Sequence, residues 1–156
     1  MLIGNGFDIH KHSNDEKLVL GGISVEGPGF KAHSDGDIIL HSLSDALLGS
    51  KAKKDLGFYF PSDESTPKNI SSVEMLNKVF EIIEYDKVVI NNIDITVLSQ
   101  VINISKISES IIANLADLLG IEKKLINVKG KSFDNLGVIG DGQASACIAL
   151  VSVRDA

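Results

Sequence analysis

The sequence predicts an α+β fold: a single layer of helices on one face of a four-stranded mixed sheet, plus a small N-terminal hairpin. Three observations carry this. Within Lys87–Gln100, Ile93, Ile95 and Val97 alternate with Asp94, Thr96 and Leu98, the period of a long strand. Ser105–Leu119 repeats at helical spacing through Ile107, Ile111, Leu115, Leu118 and Leu119, and stops at Gly120. Ser71-x-x-Glu74 is a capping box ahead of Val73, Leu76, Val79, Phe80 and Ile83, which predicts a second amphipathic helix.

The remaining elements follow in chain order. Residues 1–10 read as a strand, with Leu2 and Ile3 first and then Phe7 and Ile9 against Asp8 and His10. Lys17–Glu26 reads as two short strands around Gly21-Gly22, and Gly27-Pro28-Gly29 as a loop. Ser34-Asp35-Gly36-Asp37 opens a helix reaching about Gly49, with Ile38, Leu40, Leu43, Ala46, Leu47 and Leu48 as its apolar band. Asp35 and Asp37 sit where a cap or first-turn acid favours the helix dipole. Lys51–Pro67 is irregular, broken by Gly57, Pro61 and Pro67. Leu125–Lys131 and Gln143–Val153 are strands, separated by the Gly-rich loop Asn135–Gly142. With no internal repeat, residues 1–156 are expected to form a single domain. Helices on one face leave the other sheet face uncovered, and its apolar strands predict an oligomer.

Composition narrows the function. Hydrophobic residues make up 44 %, enough for a core, but aromatics are 5 % and Trp is absent, so that core must be aliphatic. The single Cys147, among Ala and Ile, excludes an intrachain disulfide and a cysteine zinc knuckle and reads as a buried inert thiol. A net charge of −6 with Arg154 as the sole arginine argues against a nucleic-acid surface. Phosphates would have to be held by backbone N–H groups, hydroxyls, lysines or metal ions. No apolar run approaches the roughly 20 residues that span a bilayer, so no membrane role is expected. The N-terminus lacks a signal-peptide pattern, so a cytoplasmic protein is expected, or a plastid-type one had a transit peptide been removed.

Asp8 and His10 project from one face of a strand, and His41 lies in the following helix. Such a set suits Zn²⁺ or a similar divalent ion with a fourth position open to substrate. Asp45, one turn beyond His41, is placed to orient or neutralise an imidazole. His33 and Ser34 precede a helix N-terminus, where they form either an anion site or an ordinary capped turn. Asp55-Leu56-Gly57 and Phe60-Pro61-Ser62-Asp63 form an acidic segment that alone reads as a surface loop. Lys131-Ser132-Phe133-Asp134 offers Lys and Ser to phosphate and Asp134 to a cation, or is a solvated loop. No Walker loop or Gly-x-Gly-x-x-Gly fingerprint is present.

Together, Gly6-Phe-Asp-x-His10, Ala32-His-Ser-Asp-Gly-Asp37, His41-x-x-x-Asp-Ala-Leu-Leu-Gly49, Asp55-x-Gly57, Phe60-Pro61, Asn92-x-Asp94, Asn127-x-Lys129 and Leu136-Gly137 resemble the 2-C-methyl-D-erythritol 2,4-cyclodiphosphate synthase family, from Met1 to about Val153. The resemblance implies a homotrimer with inward-facing sheets and active sites between subunits. It implies that 4-diphosphocytidyl-2-C-methylerythritol 2-phosphate is cyclised with release of CMP. It places a zinc-type ion on Asp8, His10 and His41, and a Mg²⁺ or Mn²⁺ ion bridging substrate phosphates with Asp134. His33 and Ser132 match positions that stabilise the transition state. Asp8, Ile9, His10, His33, Ser34, Asp55, Leu56, Gly57, Phe60, Pro61, Ser62, Asp63 and Glu64 match the methylerythritol and phosphate pocket. Ser99, Gln100, Val101, Ile102, Asn103, Ile104, Ser105, Lys131, Ser132, Phe133 and Asp134 match the cytidine and phosphate pocket, and Val138 is a further substrate-binding position. The sequence departs from the family pattern at several places. Asn5 replaces a usual His, Ile102-Asn103 a Pro-Lys, Asp134 a Glu, Asp141 an Arg and Gln143 a Glu. A metal-dependent phosphoesterase and a non-catalytic trimer that binds a cytidine nucleotide are the alternative functions.

Overall fold

The computed structural model describes residues Met1–Ala156. Five strands form one sheet in the order β2-β1-β5-β3-β4, built from β1 (Leu2–Leu20), β2 (Ile23–Phe30), β3 (Val88–Leu98), β4 (Ile126–Lys131) and β5 (Ala144–Asp155). Only β3 and β4 run parallel; the other neighbours are antiparallel. The main helices are α1 (Ile38–Ser50), α3 (Ser72–Ile83) and α4 (Ile104–Leu119), with single-turn helices α2 (Leu56–Tyr59) between α1 and α3 and α5 (Gly137–Gly140) between β4 and β5. No helix is long and apolar enough to cross a membrane.

The hairpin corrects the expectation of a four-stranded sheet with a separate hairpin. β1 is one strand of 19 residues: Leu2–Lys11 pairs with β5 and His12–Leu20 with β2. Lys11–Lys17 is polar but contains neither Pro nor Gly, so nothing stops the extended backbone, and register shifts at Ser13–Lys17 and Lys17–Leu18 absorb the irregularity. Gly27-Pro28-Gly29 lies inside β2 rather than in a loop. β2 is an edge strand, where a proline costs no ladder hydrogen bond on its outer side.

α1 rests directly on β1 because two glycines allow it. A Cβ at Gly4 would stand 1.8 Å from the carbonyl oxygen of Ala46, and one at Gly6 would stand 1.9 Å from that of Ser42. The same face of β1 continues through Asp8 and His10, so this close approach brings them beside the helix that carries His41. Ile93, Ile95 and Val97 of β3 and Ala149 and Val151 of β5 complete the buried face under α1, Leu76, Val79, Ile111 and Leu115. Cys147 is buried there, where burial pushes its thiol up to about 12, and Ser42 Oγ donates to its Sγ at 3.0 Å.

Asp37 fixes the start of α1. Its Oδ1 accepts from the N–H groups of Ile39 (3.1 Å), Leu40 (3.0 Å) and Gly21 (2.9 Å), and its Oδ2 from that of Gly22 (2.6 Å). One fully buried carboxylate therefore caps the helix and ties it to the hairpin turn. Asp37→Ala should lower stability by about 3 kcal/mol or more, because buried N–H groups lose their acceptor. Chemical denaturation measures this, and a loss below about 1 kcal/mol would contradict the double role.

The opposite sheet face is apolar and open. Ile3, Phe7 and Ile9 of β1 and Leu150 of β5 are 61 %, 54 %, 45 % and 45 % exposed on it. These values are large for such side chains in adjacent central strands, and together they form an exposed apolar patch.

Candidate active site

Three side chains from two elements meet at the edge of α1. Asp8 Oδ2 lies 3.0 Å from His10 Nδ1 and 3.0 Å from His41 Nδ1. Their donor atoms all fall within 4.8 Å of one another. The protons on His41 can be assigned by partner. Ser72 Oγ donates to Asp35 Oδ1 by a short hydrogen bond, so it must accept from His41 Nε2–H, 2.9 Å away. The neutral ring then keeps the Nδ1 lone pair toward Asp8, the tautomer a metal ligand requires. His10 Nδ1 is buried without an aligned hydrogen bond. An orphaned buried nitrogen, a freed lone pair and a carboxylate fit a divalent ion, with one tetrahedral position left over.

Electrostatics agree with this. Burial pushes Asp8 up, but the His10 and His41 imidazoles beside it outweigh this and hold the carboxyl below its ordinary value. Burial pushes His41 down, but Asp8 outweighs it, and the imidazole ends above its ordinary value. In the metal-free protein these are two views of one ion pair. Its stabilisation is complete between pH 3.8 and 6.5, is lost as pH rises through the raised His41 value, and is lost as pH falls through the depressed Asp8 value. A metal ion must displace the His41 proton. Zn²⁺ binding should therefore release more protons, and bind more weakly, as pH falls below the raised His41 value. Calorimetry in buffers of different ionisation enthalpy measures the release, and a pH-independent proton count would contradict it.

A cleft of about 220 Å³ opens over this cluster, lined by Asp8, His10, His33, Ser34, His41, Asp45, Leu56, Gly57, Phe60 and Ser62 among the expected residues. His33 Nε2–H donates to the Thr66 carbonyl at 2.8 Å, so Nδ1 is the ring nitrogen left for a ligand of the cleft. Ser34 Oγ accepts from Gly36 N–H at 3.1 Å and lies 3.2 Å from His41 Nε2, at the mouth of the α1 turn. Asp45 makes no hydrogen bond to His41. Its Oδ1 accepts from Leu56 N–H at 2.6 Å, so it anchors α2 instead. Burial, reinforced by Asp55 and Asp8, holds the Asp45 carboxyl above its ordinary value.

Other expected site residues lie elsewhere in the chain. Ile9 points to the opposite sheet face from Asp8 and His10, as strand alternation requires. Asp55 lines a neighbouring hollow with Lys53 and Lys54. Asp63 and Glu64 border a hollow shared with His33, Ser62 and Lys68, and Pro61 lines none of these. A separate hollow at the end of β3 and β4 is lined by Ser99, Gln100, Val101, Ile102, Asn103, Ile104, Ser105, Lys131 and Ser132. It shares no residue with the metal-cluster cleft. Asp134 is exposed on a left-handed turn at φ 49° and belongs to no metal-holding cluster, while Phe133 and Val138 line neither space.

Ser72, Thr66, Ile70 and Met75 were not legible as site residues. The capping box marks Ser72 only as the first residue of α3. Asp35 acts at its own turn, accepting from Asp37 N–H at 3.2 Å, and also accepts from Ser72 N–H at 2.9 Å and so docks α3 onto the cluster.

Fold and site together define a candidate divalent-metal site in a polar cleft lined by hydroxyl and imidazole groups. Residues 1–154 match the YgbB family, and the chain belongs to it. A Fusobacterium nucleatum 2-C-methyl-D-erythritol 2,4-cyclodiphosphate synthase is 38 % identical over 155 residues, covering 97 % of each chain. The solved CDP complex of IspF from Plasmodium falciparum superposes at a TM-score of 0.85 with 37 % identity, over 99 % of this chain and 96 % of that one. The bifunctional IspDF from Campylobacter jejuni gives 0.93 at 33 % identity, with 99 % of this chain matching 42 % of that longer one.

Proposed function

We propose that this chain converts 4-diphosphocytidyl-2-C-methyl-D-erythritol 2-phosphate to 2-C-methyl-D-erythritol 2,4-cyclodiphosphate and CMP, a step of non-mevalonate isoprenoid precursor synthesis. The observation that carries this is the Asp8–His10–His41 cluster beside His33 and Ser34, in a chain of this family. An oxygen of the 2-phosphate attacks the β-phosphorus. The bond between that phosphorus and the α–β bridging oxygen breaks, and CMP leaves with the electron pair.

Nucleophile and electrophile belong to one molecule, so the protein's main work is to fold the substrate and hold it. His33, with its Nε2–H committed to Thr66, and Ser34 meet phosphate oxygens at the start of α1. Leu56, Gly57, Phe60 and Ser62 surround the methylerythritol carbons and hydroxyls. An ion held by Asp8, His10 and His41, zinc by its donor set, supplies Lewis-acid polarisation of a phosphate oxygen when bound. A Mg²⁺ or Mn²⁺ ion at Asp134 would draw its other ligands from substrate phosphates, and no step here depends on it.

The cytidine reading assigns the base and its phosphates to the Ser99–Ser105 hollow with Lys131 and Ser132. Two facts support a homotrimer with sites between subunits. The exposed apolar sheet face needs a cover. The cleft and the cytidine hollow, moreover, are disjoint within one chain. Incubation with substrate, Zn²⁺ and Mg²⁺ followed by ³¹P NMR tests the function. Cyclic diphosphate with stoichiometric CMP is expected. An open-chain phosphate would make the protein a phosphoesterase, and unchanged substrate with CDP binding would make it a nucleotide-binding trimer.

A further inference from the structure

A partly buried polar chain links β1 to the Ser99–Ser105 turn and takes no part in the chemistry above. His12 Nδ1 lies 3.3 Å from the carbonyl oxygens of both Pro28 and Gly29, so it carries the ring proton. Its Nε2 lies 2.8 Å from Ser145 Oγ, which lies 2.8 Å from Ser99 Oγ. Ser99 Oγ accepts the N–H groups of Val101 (3.3 Å) and Ile102 (3.1 Å). Ser145 and Ser99 are both buried. One set of hydroxyl orientations satisfies every atom: Ser99 donates to Ser145, Ser145 donates to His12 Nε2, and the Ser99 lone pairs remain for the two N–H groups. The ring is held by stacking on Phe30, with centroids 4.8 Å apart and planes 25° from parallel.

Burying the two serine hydroxyls costs more than burying apolar side chains of similar size. What this set provides is geometry. It fixes the backbone of the first two residues after Gln100, where Ile102 carries an N–H that a proline would lack. Just beyond, Asn103 precedes α4 without a side-chain cap, so the turn itself has to be held from below. We propose that His12 and Ser145 are positioning residues that act through Ser99 to fix the nucleotide-binding turn Ser99–Ser105. This rests on the cytidine reading of that hollow.

The test uses full-length protein with Ser145→Ala and His12→Phe, probed with CDP and with substrate. Both variants should raise the CDP Kd and the substrate KM about 10-fold, the value of roughly one hydrogen bond. They should leave kcat and bound zinc unchanged, and should shift the free-protein amide resonances of Val101 and Ile102. A purely structural role would lower Tm without that split between KM and kcat. If Ser145→Ala fails to fold, His12→Phe, which keeps the stacking on Phe30, carries the test. CDP that perturbs the Ser99–Ser105 amides of the wild type yet binds both variants with wild-type affinity overturns the proposal alone. CDP that leaves those wild-type amides unmoved overturns the cytidine reading and the proposal with it.

Discussion

Replacing His41 with alanine should remove the bound divalent ion and the activity together while the subunit stays folded. His41 supplies one of only three protein ligands, and its side chain is held on both nitrogens, by Asp8 and by Ser72. Two ligands cannot keep a tetrahedral ion against water and buffer. The loss of activity should reach at least the 10²–10³-fold typical of one preorganised electrostatic donor. The fold survives because α1 is anchored elsewhere, by the Asp37 cap and by Leu40, Leu43, Leu47 and Leu48 in the core. Ser72→Ala should be milder, weakening metal affinity about 10–100-fold, because it frees the Nε2 proton and lets the ring turn. Metal analysis, circular dichroism and product formation measure all three properties. A metal-free His41→Ala protein with full activity would refute the metal assignment.

Leu150→Glu should dissociate the proposed homotrimer and abolish turnover without touching the metal cluster. Leu150 lies on the uncovered sheet face, in the central strand β5, paired on one side with Asn5 and on the other with Asp94. A carboxylate there adds a like charge beside Asp94 and must lose its water if the face is buried by other copies. Symmetry multiplies the cost by the number of subunits. In the isolated subunit the same side chain stays hydrated, so the fold and zinc binding persist. Sedimentation should show a single subunit, with kcat/KM at least about 10³-fold down because cleft and cytidine hollow no longer meet. A dissociated subunit that retained full activity would sink the interfacial site.

The helices and the strand order along the chain were legible because their signals are local. The capping box gave α3 its start, Gly120 gave α4 its end, and the Ile93–Ile95–Val97 alternation gave the buried face of β3. Asp8, His10 and His41 were legible as a ligand set because strand alternation fixes the first two and the third follows a helix start. What failed depends on partners far away in sequence. The merging of the hairpin into β1 is decided by pairing with β5 and β2, not by the polar composition of Lys11–Lys17. Asp45 had the right spacing for His41, but its hydrogen bond goes to Leu56, and no periodicity reports that. Ser72 reaches His41 only because Asp35 docks α3. His12, Ser145 and Ser99 are unremarkable singly and acquire meaning only once β1, β5 and β3 lie side by side.

In the proposed reaction a phosphate of the substrate, rather than water, attacks the β-phosphorus. Turnover in H₂¹⁸O tests it most directly, with mass spectrometry of both products. Intramolecular attack forms the new P–O bond from an oxygen already in the substrate, so the cyclic diphosphate and CMP should both carry no ¹⁸O. One ¹⁸O in an open-chain phosphate product, or in CMP, would show that water is the nucleophile and would contradict the cyclisation.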